Sequence, residues 1–144
     1  MQRYSFSIDL RIWHPNIKPD EITSGLGIRP NRSWEAGQPR STPKGTPLEG
    51  VYRESYWNAD PFDRGEYSST DDSAEDALAE VLEYFEPKKD FVQSLRQNGA
   101  RVLVQISSFS GRNYAIELSP ELMQRFAALG VSLVHDIYSH PQNW

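Results

Sequence analysis

The sequence predicts an α+β fold, a single sheet of about five strands with helices packed on it, and three features predict it. Near the N-terminus Tyr4, Phe6, Ile8, Leu10 and Ile12 alternate with Ser5, Ser7, Asp9 and Arg11, the period of a strand with one face in a core and the other wetter. Farther on, Ala74, Ala77, Leu78, Val81, Leu82 and Phe85 recur at helical spacing and form one apolar stripe. Strand and helix patterns then interleave along the whole chain, as in an α+β rather than an all-α or all-β protein. The 144 residues fit one domain, 1–144, which at that size buries roughly two-thirds of the surface its unfolded chain exposes.

The elements follow in the order β-α-β-α-α-β-β-α-β. Trp13 breaks the alternation of the first strand and His14-Pro15 ends it, since proline cannot donate to a ladder. A short helix starts at Pro19, with Asp20 and Glu21 at its positive end, Ile22 and Leu26 facing inward, and Gly25 and Gly27 stopping it. Residues 29–50, with Pro30, Pro39, Pro43 and Pro47, read as one long irregular loop, a length that goes with function or mobility. Val51 to Trp57 is the second strand, and Asn58 to Asp72 an acidic, turn-rich connection. Ser73 caps the striped helix, Pro87 interrupts it, and a further helix carries Phe91, Val92 and Leu95 up to Asn98-Gly99. Arg101 to Phe109 is the third strand, and Ser110-Gly111-Arg112-Asn113 reads as a hairpin turn into Tyr114 to Leu118. Ser119-Pro120-Glu121 opens the last helix, which buries Leu122, Phe126 and Leu129 and stops at Gly130. Val131 to Tyr138 is the last strand, and Ser139 to Trp144 a short tail. Leu26-Gly27-Ile28 and Leu129-Gly130-Val131 close two similar strand–helix units, a hint of a ferredoxin-like arrangement.

Composition narrows the function. The chain has no cysteine, which excludes disulfides, thiolate nucleophiles and thiolate metal sites. It has no apolar run near the roughly 20 residues needed to cross a bilayer, and its first residues lack a signal-peptide core, so a cytoplasmic protein without membrane contact is expected. The net charge of −5 is unevenly spread: residues 29–53 hold five basic residues against Glu35 and Glu49, whereas residues 54–86 hold eleven acidic residues and only Arg64. A nucleic-acid partner is not expected, because no basic face dominates. The acidic stretch, with Asp71, Asp72, Glu75 and Asp76, instead suits encounter with a basic protein, although charge runs are more often a solvated helix face.

Several runs carry a family resemblance. Ile17-Lys18-Pro19-Asp20-Glu21-Ile22-Thr23, Leu26-Gly27-Ile28-Arg29-Pro30 and Arg32-Ser33-Trp34 with Gly37 resemble domain-of-unknown-function family 4279, found chiefly in bacteria. Phe85-Glu86-Pro87-Lys88-Lys89 looks like that family's mid-chain double helix. Ser119-Pro120-Glu121-Leu122, Leu129-Gly130 and His135-Asp136-Ile137-Tyr138 look like its C-terminal unit. The resemblance covers nearly the whole chain and implies a stand-alone domain, and it brings no catalytic residues.

Candidate chemistry is sparse. His14, His135 and Asp136, with His140, would supply metal ligands or an acid–base pair if the first and last strands were neighbours, yet no spacing matches a zinc signature, so no cofactor is expected. No Gly-x-Ser-x-Gly elbow is present. Gly25-Leu26-Gly27 follows a helix rather than opening one, unlike a dinucleotide loop. Trp13, Arg29, Arg32, Trp34, Tyr52, Tyr56 and Trp57 cluster around the long loop, and Tyr, Trp and Arg are the residues of binding hot spots. The leading expectation is therefore a non-enzymatic binding protein, most concretely one that neutralises a bacterial toxin. The rival is a small-molecule or metal-binding domain, or a small enzyme, built on His14, His135 and Asp136.

Overall fold

The computed structural model describes residues 3–139. The first strand, β1 (Ser5–His14), leads through Pro15 into α1 (Pro19–Leu26), which ends where Gly27 takes the left-handed conformation at φ 70° and its N–H bonds to the Thr23 carbonyl. β2 (Arg32–Trp34), β3 (Pro39–Ser41), β4 (Pro47–Val51), β5 (Ser55–Ala59) and β6 (Glu66–Ser68) follow. α2 (Ala74–Phe85) starts under Ser73, whose Oγ accepts the Asp76 N–H at 3.1 Å. A 3₁₀ turn at Glu86–Lys88, set by Pro87, separates it from α3 (Lys89–Gln97). β7 (Arg101–Ser110), α4 (Pro120–Leu129) and β8 (Ser132–Ser139) complete the chain. Ser119 caps α4 by accepting the Leu122 N–H at 3.2 Å.

The main sheet runs β2-β5-β1-β7-β8, with β6 also paired to β1, while β3 and β4 form a separate two-stranded hairpin. Alternate residues of a strand take opposite faces. Tyr4, Phe6, Ile8, Leu10 and Ile12, joined by Trp57, Ala59, Val102, Val104 and Ile106, therefore meet the inward side chains of all four helices in one core. The opposite face of the sheet carries no helix among the described residues. No helix among them is long and apolar enough to cross a membrane.

The α+β class, a main sheet of five to six strands and the positions of all four helices agree with the sequence reading. The ferredoxin-like hint does not extend to strand order. That pattern inserts a strand between the parallel strands of each βαβ unit, whereas β7 and β8 are parallel and adjacent, and β1 and β5 are antiparallel neighbours. Residues 29–50 are not a structureless loop but hold β2, β3 and most of β4, Pro39 and Pro47 opening the short strands β3 and β4, where a missing donor is harmless. The second strand is split, with β4 ending at Val51 and β5 beginning at Ser55, and the acidic connection contains β6. Residues 114–118 form no strand, so the hairpin after β7 is absent. Tyr114, Ile116 and Leu118 alternate because they pack on the core from an irregular segment. β1 ends at His14, before Pro15, as the sequence suggests, and Trp13 lies within it on the helix-free face. Gly25 does not stop α1: a Cβ there would lie 2.2 Å from the Phe91 ring, so its hydrogen is where α3 seats that ring.

Candidate functional site

The helix-free face gathers most of the aromatic–arginine candidates, Trp13, Arg32, Trp34 and Tyr56 among them, and strand register is what gathers them. Arg101 of β7 lies opposite Trp13 of β1, Trp13 opposite Tyr56 of β5, and Tyr56 opposite Trp34 of β2. The rings touch along this row. Trp13 and Tyr56 have centroids 5.1 Å apart, Tyr56 and Trp34 4.6 Å, and Trp34 stacks on Tyr52 at 4.4 Å and 10°. Guanidinium groups cap the row, Arg32 4.8 Å from the Trp34 centroid and Arg101 5.3 Å from that of Trp13, within the range of cation–π attraction. Tyr56 is 8% exposed, and its burial holds the phenol above its ordinary pKa, with Arg11 working the other way.

A second row lies beside the first: Leu103 opposite Arg11, Arg11 opposite Asn58 and Asn58 opposite Arg32. Asp9 binds Arg11 Nε at 2.8 Å and accepts Asn58 Nδ2 at 3.1 Å. A carboxylate fixes which end of an amide faces it. Asn58 Oδ1 thus turns away from Asp9 and is buried without a hydrogen-bond partner among the described residues.

The β3–β4 hairpin hangs from this face by polar contacts. Arg32 Nη2 donates to the Ser41 carbonyl at 3.1 Å, the Tyr52 hydroxyl donates to the same carbonyl at 2.9 Å, and Trp34 Nε1 donates to the Glu54 carbonyl at 3.1 Å. The Ser41 backbone hydrogen bond lowers the Tyr52 pKa. Leu48 and Val51 of the hairpin are exposed.

Not every candidate reaches this surface. Trp57 is wholly buried among the helices and donates Nε1 to Thr23 Oγ1 at 3.0 Å, so it is a core residue and cannot touch a partner. Arg29 is exposed but lies in a separate groove of about 390 Å³ beside Asp60, Asp63 and Tyr84. Asp71, Asp72, Glu75 and Asp76 sit at the start of α2, in the helix layer behind the sheet, and Asp72 is paired to Arg64 at 2.9 Å. The acidic and the aromatic–arginine candidates therefore occupy opposite layers.

The histidine–aspartate constellation is not assembled. β7 lies between β1 and β8, and His135 is level with Ile8, six residues from His14, or about 20 Å along the strand at ~3.3 Å per residue. His135 and Asp136, as sequence neighbours in a strand, take opposite faces. No three His, Cys, Asp or Glu side chains among the described residues stand close enough to share a metal ion, and His140 lies outside those residues. His14 instead serves its own turn, where its Nδ1 accepts the N–H groups of Asn16 and Ile17 at 3.1 and 2.9 Å and shapes the entry into α1. Burial holds its pKa below the ordinary value of 6.5, against the opposing pull of Glu21.

Sequence reasoning missed Asp9, Arg11, Asn58 and Arg101 on the helix-free face, and Ser108 and Tyr114, which bond to each other and, through Ser108, to His135. Signals existed for both groups. Asp9, Arg11 and Trp13 share one parity in β1, and the inward parity of β7 changes from Val102, Val104 and Ile106 to Ser108 and Ser110.

A family model described as "Domain of unknown function (DUF4279)" matches residues 4–140. No curated protein and no solved structure matches the chain.

Proposed function

The chain belongs to the family described as Domain of unknown function (DUF4279), and from that premise we propose a non-enzymatic, protein-binding role in the cytoplasm, with the helix-free sheet face as the contact surface. The observation that carries the proposal is the row Tyr52–Trp34–Tyr56–Trp13 with its arginine caps. Trp34 contacts Tyr52, Tyr56 and the Arg32 guanidinium, so its ring is already engaged by the protein's own side chains. That disfavours sugars and nucleic-acid bases, which stack on free aromatic faces, and leaves ring edges and guanidinium groups for a protein surface. These residue types anchor protein interfaces.

Binding of a partner recovered from the native host should fall at least about tenfold with Arg101→Glu or Arg32→Glu, the loss expected when an interface anchor is removed. Trp34→Ala should do the same, but that variant also loosens the β3–β4 hairpin. Arg101 holds nothing but Trp13 among the described side-chain contacts, so full affinity in Arg101→Glu would sink the proposal.

A second reading has its own support. Asp63, Glu66, Asp71, Asp76, Glu80 and Glu83 are exposed and join none of the ion pairs among the described residues. An acidic surface of this kind suits a basic protein such as a nuclease toxin, and the finer form of the proposal is toxin neutralisation. A standard interface covers about 800 Å² per partner, roughly one layer of a domain this size, so the readings separate. Acid-driven association should slow as ionic strength rises past about 0.15 M, where the Debye length is near 8 Å. It should also slow when Asp71, Asp72, Glu75 and Asp76 are changed to lysine. A partner that ignores both, and responds to Arg101→Glu, binds the sheet face.

A further inference from the structure

Near the C-terminal end of β7 the helix-side core becomes polar. Ser108 is fully buried, at 0% exposure, and a buried hydroxyl needs partners. Its Oγ is hydrogen-bonded to the Tyr114 hydroxyl and, at 2.7 Å, to His135 Nε2.

Counting hydrogens favours one direction for this chain. If Tyr114 donates to Ser108 and Ser108 donates to Nε2, every hydroxyl hydrogen is used and the imidazole carries its proton on Nδ1. In the reverse direction the phenol hydrogen is left with no acceptor among the described residues. The first direction requires a neutral imidazole, and partial burial does hold the His135 pKa below its ordinary 6.5, with Asp136 opposing. In that direction His135 presents an Nδ1–H donor on the side of its ring away from Ser108.

That ring lines a groove of about 410 Å³. Arg112 and Asn113 add further donors, Ile116 and Ile137 supply apolar wall, and no carboxylate lines the groove among the described residues. In a chain of net charge −5, this is a concavity with cationic and neutral donors only. Arg112 is exposed, and its side chain makes no hydrogen bond among those residues.

We propose that this groove binds a small organic monocarboxylate, its carboxylate between the Arg112 guanidinium and His135 Nδ1–H and its apolar body against Ile116 and Ile137. Charge-assisted bonds to both donors fix the anion, and the concave apolar wall selects against bare inorganic anions. The site is independent of the sheet face, so either can fail without the other.

The test uses the full chain, with benzoate as the probe, benzamide as its neutral isostere and inorganic phosphate as the bare anion. Benzoate should bind saturably and shift the NMR resonances of Arg112, Tyr114 and His135, with benzamide at least about tenfold weaker, as loss of the charge-assisted bonds implies. Arg112→Gln should weaken benzoate about tenfold without moving the melting temperature, and His135→Gln should reproduce the weakening. Three outcomes overturn the proposal: benzamide matching benzoate, phosphate matching benzoate, or shifts that lie outside the groove or survive Arg112→Gln unchanged.

Discussion

The two faces of β1 come from one stretch of alternating sequence and do opposite things. On the helix side Phe6, Ile8, Leu10 and Ile12 are at most 3% exposed and contact other apolar groups only through packing. On the other side Asp9, Arg11 and Trp13 are only partly covered, and they are engaged through ion pair, hydrogen bond and ring contact. Packing is non-directional and scales with area, whereas the contacts of the second face depend on register and angle. The first face should therefore govern stability, and the second recognition.

The largest effect should come from emptying the covered face. Leu10→Ala or Ile8→Ala should cost about 2–5 kcal/mol in denaturant unfolding, the range for core truncation. Arg11→Ala, next to Leu10 on the opposite face, should cost about 1 kcal/mol or less, because its ion pair with Asp9 is partly exposed. Equal losses would erase the distinction between the faces.

Next in size is the contact that holds the covering layer together. Gly25→Ala places a methyl into the Phe91 ring at 2.2 Å, and over-packing of this kind costs typically about 1–3 kcal/mol. A double variant, Gly25→Ala with Phe91→Leu, should recover part of the loss. No recovery would mean that Phe91 is not what Gly25 accommodates.

The helices and the covered face were legible because their signals are local. Ser73 and Ser119 before acidic first turns, glycine after Leu26 and Leu129, and the stripe from Ala74 to Phe85 need no knowledge of the rest of the chain. The helix-free face was half legible. Its residue types were picked out, but Trp34, Tyr56 and Trp13 become one row only through β2–β5–β1 pairing, which no short pattern encodes. Trp57 was misassigned for the same reason: one step along β5 from Tyr56, it points into the core. The strand expected at Tyr114 to Leu118 failed because alternation reports one-sided burial, and an irregular segment lying on the core alternates too. The constellation of His14, His135 and Asp136 failed on strand order, which puts β7 between β1 and β8.

A pH effect of smaller size should come from the junction of β1 and α1. Folded His14 has a depressed pKa, chiefly through burial, and its Nδ1 lone pair is occupied by two backbone donors. Above pH 6.5 both folded and unfolded chains hold it neutral, and its full contribution is present. As pH falls below that value the unfolded chain takes up a proton that the folded chain refuses, so stability declines until the depressed folded value is reached, by at most about 1.4 kcal/mol per pH unit. Asparagine can accept the same backbone donors without titrating. Urea unfolding at pH 7.5, 6.5 and 5.5 should show a shallower acid loss in His14→Asn than in the unmodified chain. Parallel slopes would leave the acid loss to other groups, His135 first among them.

The smallest effect on global stability, and the sharpest test of the second face, concerns the β3–β4 hairpin. Its residues are almost all exposed, and it has no core of its own. It is fastened by the stack of Tyr52 on Trp34 and by the bonds that Arg32 and Tyr52 make to the Ser41 carbonyl. Lys44 stands in its exposed turn, next to Gly45 at φ 87°, so trypsin should cut first at Lys44, as exposed loop tips are cut before packed elements. In Trp34→Ala the hairpin loses its stacking partner while the helix-side core is untouched. Cleavage at Lys44 should accelerate several-fold, because local opening governs proteolysis when reclosing is fast. Global unfolding should shift by only about 1 kcal/mol, the scale of one aromatic pair. The two readouts must diverge for the comparison to hold. If Trp34→Ala lowers global stability as much as Leu10→Ala does, the helix-free face is a second core and not a recognition surface. If neither readout changes, the polar bonds to Ser41 hold the hairpin alone, and the aromatic row has no fastening role to set against its role in binding.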